Sequence, residues 1–224
     1  MSSTRQRKDA LYEQVARIAK AVASPKRLEL IELLAQAPKP VERLAAEAGI
    51  SVKLASAHLK ALRATRLVET ERQGKYVIYR LADAEVARLW VQLRLLAEDR
   101  LFELQYALRR LAAAGGEWRA ADRAELLRQA RGGEVILLDV RPADEFAQRH
   151  LPFARSLPLA ELRARLAELP GDKPIVAYCR GPYCLMSADA VRLLHNKGYQ
   201  ASELREGVAE WVAAGWPAEF EQEA

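Results

Sequence analysis

The sequence predicts a chain of two domains: a mainly α domain that closes on a β-hairpin, then an α/β domain built on a parallel sheet. Two patterns predict this. Apolar residues recur at three and four through residues 11–66 and give way to alternating, β-forming stretches over 67–81. Beyond residue 117, short apolar runs alternate with helical segments, the order that produces a parallel sheet covered by helices. Charge divides the chain in the same way. Residues 1–114 hold 21 Lys+Arg against 13 Asp+Glu, a net of +8, and residues 115–224 hold 14 against 17, a net of −3. Only the first part suits a polyanion. Gly115-Gly116, at the change of sign, is the expected junction between domains 1–114 and 117–224.

In the first part, Leu11, Val15, Ile18, Ala19 and Val22 describe one helix face. Ser24-Pro25 stops that helix and starts another, serine as cap and proline in the first turn. Leu28, Leu30, Ile31, Leu33 and Leu34 fill the second helix, and Pro38-Lys39-Pro40 ends it. A short helix, Val41 to Glu47, meets a turn at Ala48-Gly49-Ile50, and Ser51 caps a fourth helix over Val52 to Arg66. Two short helices around a glycine turn form a helix-turn-helix. Residues 67–72 and 76–81, joined by Gln73-Gly74-Lys75, read as a hairpin with a basic tip.

This order of helices, capped recognition helix and basic hairpin resembles the winged helix-turn-helix of the ArsR family of bacterial repressors, over about residues 9 to 112. The resemblance rests on Ser24-Pro25-Lys26-Arg27-Leu28, on the stretch Ser51 to Leu59 and on Gly74-Lys75-Tyr76. It implies that helix 51–66 enters a major groove of operator DNA while the wing touches flanking backbone. Ser51, Lys53, Ser56, His58 and Lys60 would then reach phosphates or base edges, and Arg72 and Lys75 would serve on the wing. The apolar series Val86, Leu89, Trp90, Leu93, Leu96, Leu101, Leu104, Leu108 and Leu111 reads as one helix of about 30 residues with little to pack on in so small a domain. In the family such a helix makes the homodimer, which matches a palindromic operator. Many ArsR proteins sense metals through cysteines on the third helix or histidines on the dimer helix. Here that third helix has no cysteine, and His58, His150 and His195 all lie elsewhere, so no metal site or cofactor is expected and the signal must enter through the second domain.

In the second part, a short helix closes at Leu126-Leu127, Gly132-Gly133 turns, and Val135 to Leu138 is a buried strand ending at Asp139. A helix-strand step runs from Asp144 to Leu159; Ile175 to Tyr178 is a strand, Ser187 to Lys197 a helix, and Tyr199 to Leu204 another strand. Function in such a sheet belongs at the carboxyl ends of the strands, where Asp139, Arg141 and Cys179 fall. Both cysteines of the chain lie in one segment after the third strand, Cys179-Arg180-Gly181-Pro182-Tyr183-Cys184. A thiol where a strand turns into a helix is surrounded by backbone amides, which favour a thiolate.

This half resembles a rhodanese domain, the sulfurtransferase fold. The matching stretches are Leu138-Asp139-Val140-Arg141 with Glu145-Phe146, His150 to Ala154, Val176 to Arg180, and Gly207 to Trp211. Cys179 stands where that family forms its persulfide, while Asp139, His150 and Trp211 are read mainly as structural. The resemblance implies that a Cys179 thiolate attacks a sulfane sulfur and that amides of residues 180–184 hold the persulfide. Arg180 and Arg141 are candidates to receive an anionic donor. The loop departs from the family: the position that commonly carries a basic residue, five after the cysteine, is Cys184. Phosphatases of related fold need an arginine six positions on, where this chain has Leu185. Cys184 can attack the persulfide on Cys179 and close a disulfide.

At 224 residues, half of them apolar, the chain can bury real cores, and no stretch approaches the ~20 apolar residues of a membrane span. Its polar start reads as no signal peptide, and a cytoplasmic, membrane-free location is expected, where cysteines act as thiols. Three readings follow: a repressor whose rhodanese module senses reactive sulfur or oxidant, a working sulfurtransferase, and a dithiol receptor for arsenite.

Overall fold

The computed structural model describes residues 3–113, 118–119 and 122–221, and these form two compact units, residues 1–90 and 91–224. The expected junction at Gly115-Gly116 lies outside the described residues.

The first unit begins with α1 (Ser3–Val22) and α2 (Pro25–Gln36). Between them Ser24 is extended and contributes its backbone carbonyl, which accepts from Arg27 and Leu28 N–H. The expected capping by its hydroxyl is not what holds this turn. A short strand, β1 (Lys39–Pro40), leads into α3 (Val41–Glu47) and α4 (Val52–Ala64). Gly49 between α3 and α4 has φ +62°, a left-handed turn that disfavours any side chain. Ser51 caps α4, its Oγ accepting from Leu54 N–H at 3.2 Å. The wing is β2 (Val68–Gln73) paired antiparallel with β3 (Tyr76–Leu81), with Gln73 opposite Tyr76. β1 joins β3 as a third strand, Lys39 opposite Tyr79; its proline fits because an edge strand spares the missing donor. Leu30, Ile31, Leu44, Ala55, Leu59 and Leu62 are buried together and fix the helix pair.

Helix α5 (Ala84–Arg100) begins in the first unit and ends in the second, where α6 (Phe102–Ala113) follows. The single long helix expected from the leucine series is thus two, broken at Leu101. There the side chain of Gln105 donates to the carbonyls of Glu98 and Asp99, at 2.9 and 3.2 Å, taking the place of the next helical amides. With no proline or glycine at the break, periodicity could not reveal it.

The second unit holds a five-stranded parallel sheet in the order β4-β8-β7-β5-β6. Its elements in chain order are β4 (Trp118–Arg119), α7 (Arg123–Arg131), β5 (Ile136–Asp139), α8 (Ala143–Gln148), β6 (Arg155–Ser156), α9 (Leu159–Leu162), β7 (Ile175–Tyr178), α10 (Met186–His195), β8 (Ala201–Leu204) and α11 (Val208–Ala213). Successive residues on these strands face opposite sides. Ile136, Leu138, Ile175, Ala177 and Cys179 share a core with Ala190, Val191 and Leu194 of α10. Leu137, Val176 and Tyr178 share the other with Leu126, Val208 and Trp211. The alternation therefore assigns Cys179 to the α10 side of the sheet. Among the described residues no helix is long and apolar enough to cross a membrane.

Candidate functional site: a thiol pair beneath a helix N-terminus

The loop from Cys179 to Leu185 leaves the carboxyl end of β7 and enters α10. Gly181 to Cys184 is a tight turn with Pro182 at its second position, closed by Cys184 N–H donating to Gly181 O at 3.0 Å. Two contacts from α11 hold it. Gly207 lies so close that a Cβ there would sit 2.4 Å from the carbonyl oxygen of Arg180 and 2.8 Å from that of Cys179. Gly181 has φ +146°, and its open side faces the carboxylate of Glu210, about 3.1 Å from where a Cβ would be. Glu210 accepts from Gly207 N–H at 2.8 Å and from the guanidinium of Arg94 at 3.0 Å. Burial pushes the Glu210 carboxyl up, against the opposing pull of Arg94 and Gly207. Arg94, itself buried, also pairs with Glu98 and lies over the ring of Tyr183 at 5.7 Å. The sequence reading did not single out Arg94 or Glu210: only in space does position 94 meet this loop.

Cys184 packs against the core cluster that holds Cys179, and the environments of the two thiols differ. Cys179 is 1% exposed. Burial, and then the neighbouring Cys184, push its thiol well up, so it stays protonated. Cys184 is half-buried and lines a small pocket with Pro182, Leu185, Glu203 and Arg205. Its thiol is lowered to about 7: Cys179 donates to it, the backbone amides of Met186 and Arg180 add to that against the cost of burial, and the charge of Arg180 contributes. Met186 opens α10, so this sulfur also sits at the positive end of a helix.

The sequence reading puts the thiolate and the amide cradle on Cys179; the amides of Arg180 and Met186 lower Cys184, while Cys179 is held up by burial against the amide and hydroxyl of Ser187, with Ser187 Oγ at 3.1 Å from its Sγ and the carbonyls of Cys184 and Gly181 at 3.6 and 4.0 Å. The physical reason is the alternation along β7, which turns Cys179 into the core.

The two arginine candidates are also placed differently from expectation. Arg141 is fully buried, its Nη2 2.6 Å from Asp139 Oδ2 and 2.8 Å from the carbonyl of Arg149, so it braces strand ends and is not open to a substrate. Arg180 forms a two-pronged pair with the buried carboxylate of Glu145. Its charge acts on Cys184 at a distance, with the guanidinium held by Glu145. The residues read as structural behave so: His150 stacks on Phe146 and meets its carbonyl at 2.9 Å, and Trp211 is wholly buried.

In the first unit, Ser51, Lys53, Ser56 and Lys60 are exposed along α4 and His58 is half-buried. Arg72 and Lys75 are exposed on the wing, where Arg72 Nε reaches Gly74 O at 3.4 Å and Lys75 lies over the Tyr76 ring.

Fold and site together define a class: a winged helix-turn-helix unit followed by a rhodanese-like unit bearing a paired-thiol loop. Comparison with known proteins agrees. Residues 24–70 match the bacterial regulatory protein, arsR family, and residues 122–214 match the rhodanese-like domain. The HTH-type transcriptional regulator Rv0324 of Mycobacterium tuberculosis is 44% identical over 217 residues, covering 97% of this chain and 95% of that protein. A sulfurtransferase of Allochromatium vinosum is 35% identical over 85 residues, 38% of this chain and 78% of that protein. The solution structure of the homodimeric winged helix-turn-helix DNA-binding domain (fragment 1–100) of Mb0332 from Mycobacterium bovis is 41% identical, covers 46% of this chain and 95% of that one, and gives a TM-score of 0.42. The chain belongs to the ArsR-family HTH-type transcriptional regulators that carry a C-terminal rhodanese domain.

Proposed function

We propose that this regulator is a cytoplasmic, homodimeric repressor that reads operator DNA through α4 and the wing and senses reactive sulfur through Cys184 and Cys179. One observation carries the reading: a transcription regulator has its only two cysteines on one short loop, Cys179 buried in the core and Cys184 half-buried against that core and lining a pocket. Exposed apolar residues on α1 (Leu11 and Val15) and α6 (Phe102 and Tyr106) support a dimer. Burial of Cys179 weighs against ordinary sulfurtransferase turnover, in which that thiol would meet each donor and acceptor directly.

The test is operator affinity by fluorescence anisotropy before and after polysulfide. Disulfide closure is expected to weaken binding by about 5- to 150-fold, the range of a ~1–3 kcal/mol coupling. Cys184→Ser should bind operator normally and ignore polysulfide, whereas Lys53→Ala with Lys60→Ala should bind weakly in either state. Unchanged affinity in a protein whose disulfide has formed overturns the sensing reading, and tight 1:1 arsenite binding that needs both cysteines would favour the dithiol receptor.

A further inference from the structure

Ser187 opens the first turn of α10 beside Cys179, with its hydroxyl oxygen 3.1 Å from Cys179 Sγ. Ser187 is buried, and it donates its one hydroxyl proton to Glu203 Oε1 on β8 at 2.7 Å. With that proton directed to Glu203, Ser187 Oγ offers the Cys179 thiol an acceptor for use once Cys184 no longer takes its proton. The three groups form a chain, Cys179 to Ser187 to Glu203, leading from a buried thiol to a half-buried carboxylate that lines the pocket at Cys184.

Sensing requires a base at this place. In the first step the Cys184 thiolate attacks the outer sulfur of a hydropersulfide, R–S–SH; the Cys184–sulfur bond forms, the S–S bond breaks, and its electron pair leaves on RS⁻. In the second, Cys179 attacks Cys184 Sγ; the disulfide forms, HS⁻ departs, and the Cys179 proton must be removed. The two thiols are oxidised by two electrons and the sulfane sulfur is reduced to sulfide. Departure as HS⁻ requires the outer sulfur of the Cys184 persulfide to carry its proton; in that form Cys184 is uncharged and the Cys179 S–H loses the acceptor it had. Three other acceptors lie near Sγ: the carbonyl of Cys184 at 3.6 Å, the carbonyl of Gly181 at 4.0 Å, and Ser187 Oγ. Carbonyls accept a hydrogen bond but do not take up the proton. Ser187 passes it on.

We propose that Ser187 and Glu203 form a proton relay that deprotonates Cys179 as it attacks the sulfur of Cys184, Glu203 acting as the terminal base. Glu203 therefore fixes the rate of disulfide closure. The relay rests on the thiol-pair reading above, and its test is independent of what the protein senses or how DNA responds. The full-length protein is mixed with the chromogenic disulfide dithiobis-nitrobenzoate, which releases one aryl thiolate when Cys184 attacks and a second when Cys179 displaces it. In Glu203→Gln and Ser187→Ala the second release is expected to slow about a hundredfold relative to the first, the lower end of general-base contributions. The mixed disulfide on Cys184 then accumulates and is seen by mass spectrometry, and Glu203→Asp recovers most of the rate. A wild-type second phase in both Glu203→Gln and Ser187→Ala overturns the relay, as does slowing of both phases alike, or release of a single equivalent by the wild-type protein. Failure of the sensing reading looks different: disulfide closure proceeds through the relay while operator affinity stays constant.

Discussion

Cys184 owes its thiolate character to particular neighbours, and this makes it separable from them. An ordinary thiol alkylates faster as pH rises through about 8.5. Cys184, lowered to about 7, should reach its full alkylation rate one to two pH units earlier, because the reactive thiolate is complete once pH has passed its own value. The largest cause is the hydrogen bond from Cys179, so Cys179→Ala should move the midpoint of the iodoacetamide pH profile upward, toward the ordinary range. A midpoint that stays near 7 in Cys179→Ala would assign the effect to the Met186 and Arg180 amides instead. Cys179 contributes by staying protonated: burial raises it, and a protonated thiol is the donor that a neighbouring thiolate needs.

At the scale of elements, the loop keeps its shape because α11 lies directly against it. Gly207 is the point of closest approach. Gly207→Ala would place a methyl 2.4 Å from a backbone carbonyl oxygen, and backbone cannot swing aside as a side chain can. It should destabilise the chain by about 1–3 kcal/mol in thermal or urea unfolding, and the Cys184 alkylation midpoint should rise as the displaced Arg180 amide moves off the sulfur. Much of this region was legible from sequence. The end of the strand Ile175 to Tyr178 placed the thiol at the carboxyl edge of a parallel sheet, and the helix-turn-helix followed from Gly49 and the Ser51 cap. Other features were illegible because they are made by long-range partners. Arg141 and Arg180 looked like substrate groups until Asp139 and Glu145 were seen to hold them. The break at Leu101 is made by one glutamine side chain and leaves no trace in the apolar period. A faint signal did exist for the relay: Ser202-Glu203 interrupts a strand that, inside a parallel sheet, should read as continuously apolar.

For the whole molecule, the proposed sensing needs a link from the loop to the DNA-binding unit, and α5 is the element that has residues in both units. It starts at Ala84, directly after the wing, and carries Arg94 ten residues on, where Arg94 pairs with Glu210 and lies over Tyr183 of the cysteine turn. A disulfide across residues 179–184 would close on the turn that contains Tyr183 and Gly181, and both lie against the Arg94–Glu210 pair or its carboxylate. A buried arginine with two carboxylate partners has few alternative positions, so under the proposed sensing the helix that carries it is the route that a change in the turn would take. Arg94→Met keeps the length and apolar bulk of the side chain while removing this link. The variant should still bind operator and should still close its disulfide with polysulfide, but oxidation should change operator affinity by less than about twofold, well below the ~1–3 kcal/mol coupling assigned to the intact protein. Anisotropy titrations on the reduced and oxidised variant, with the disulfide verified by mass spectrometry, measure both quantities on one sample. Full coupling in oxidised Arg94→Met would mean that the signal leaves the loop by a route that does not pass through α5.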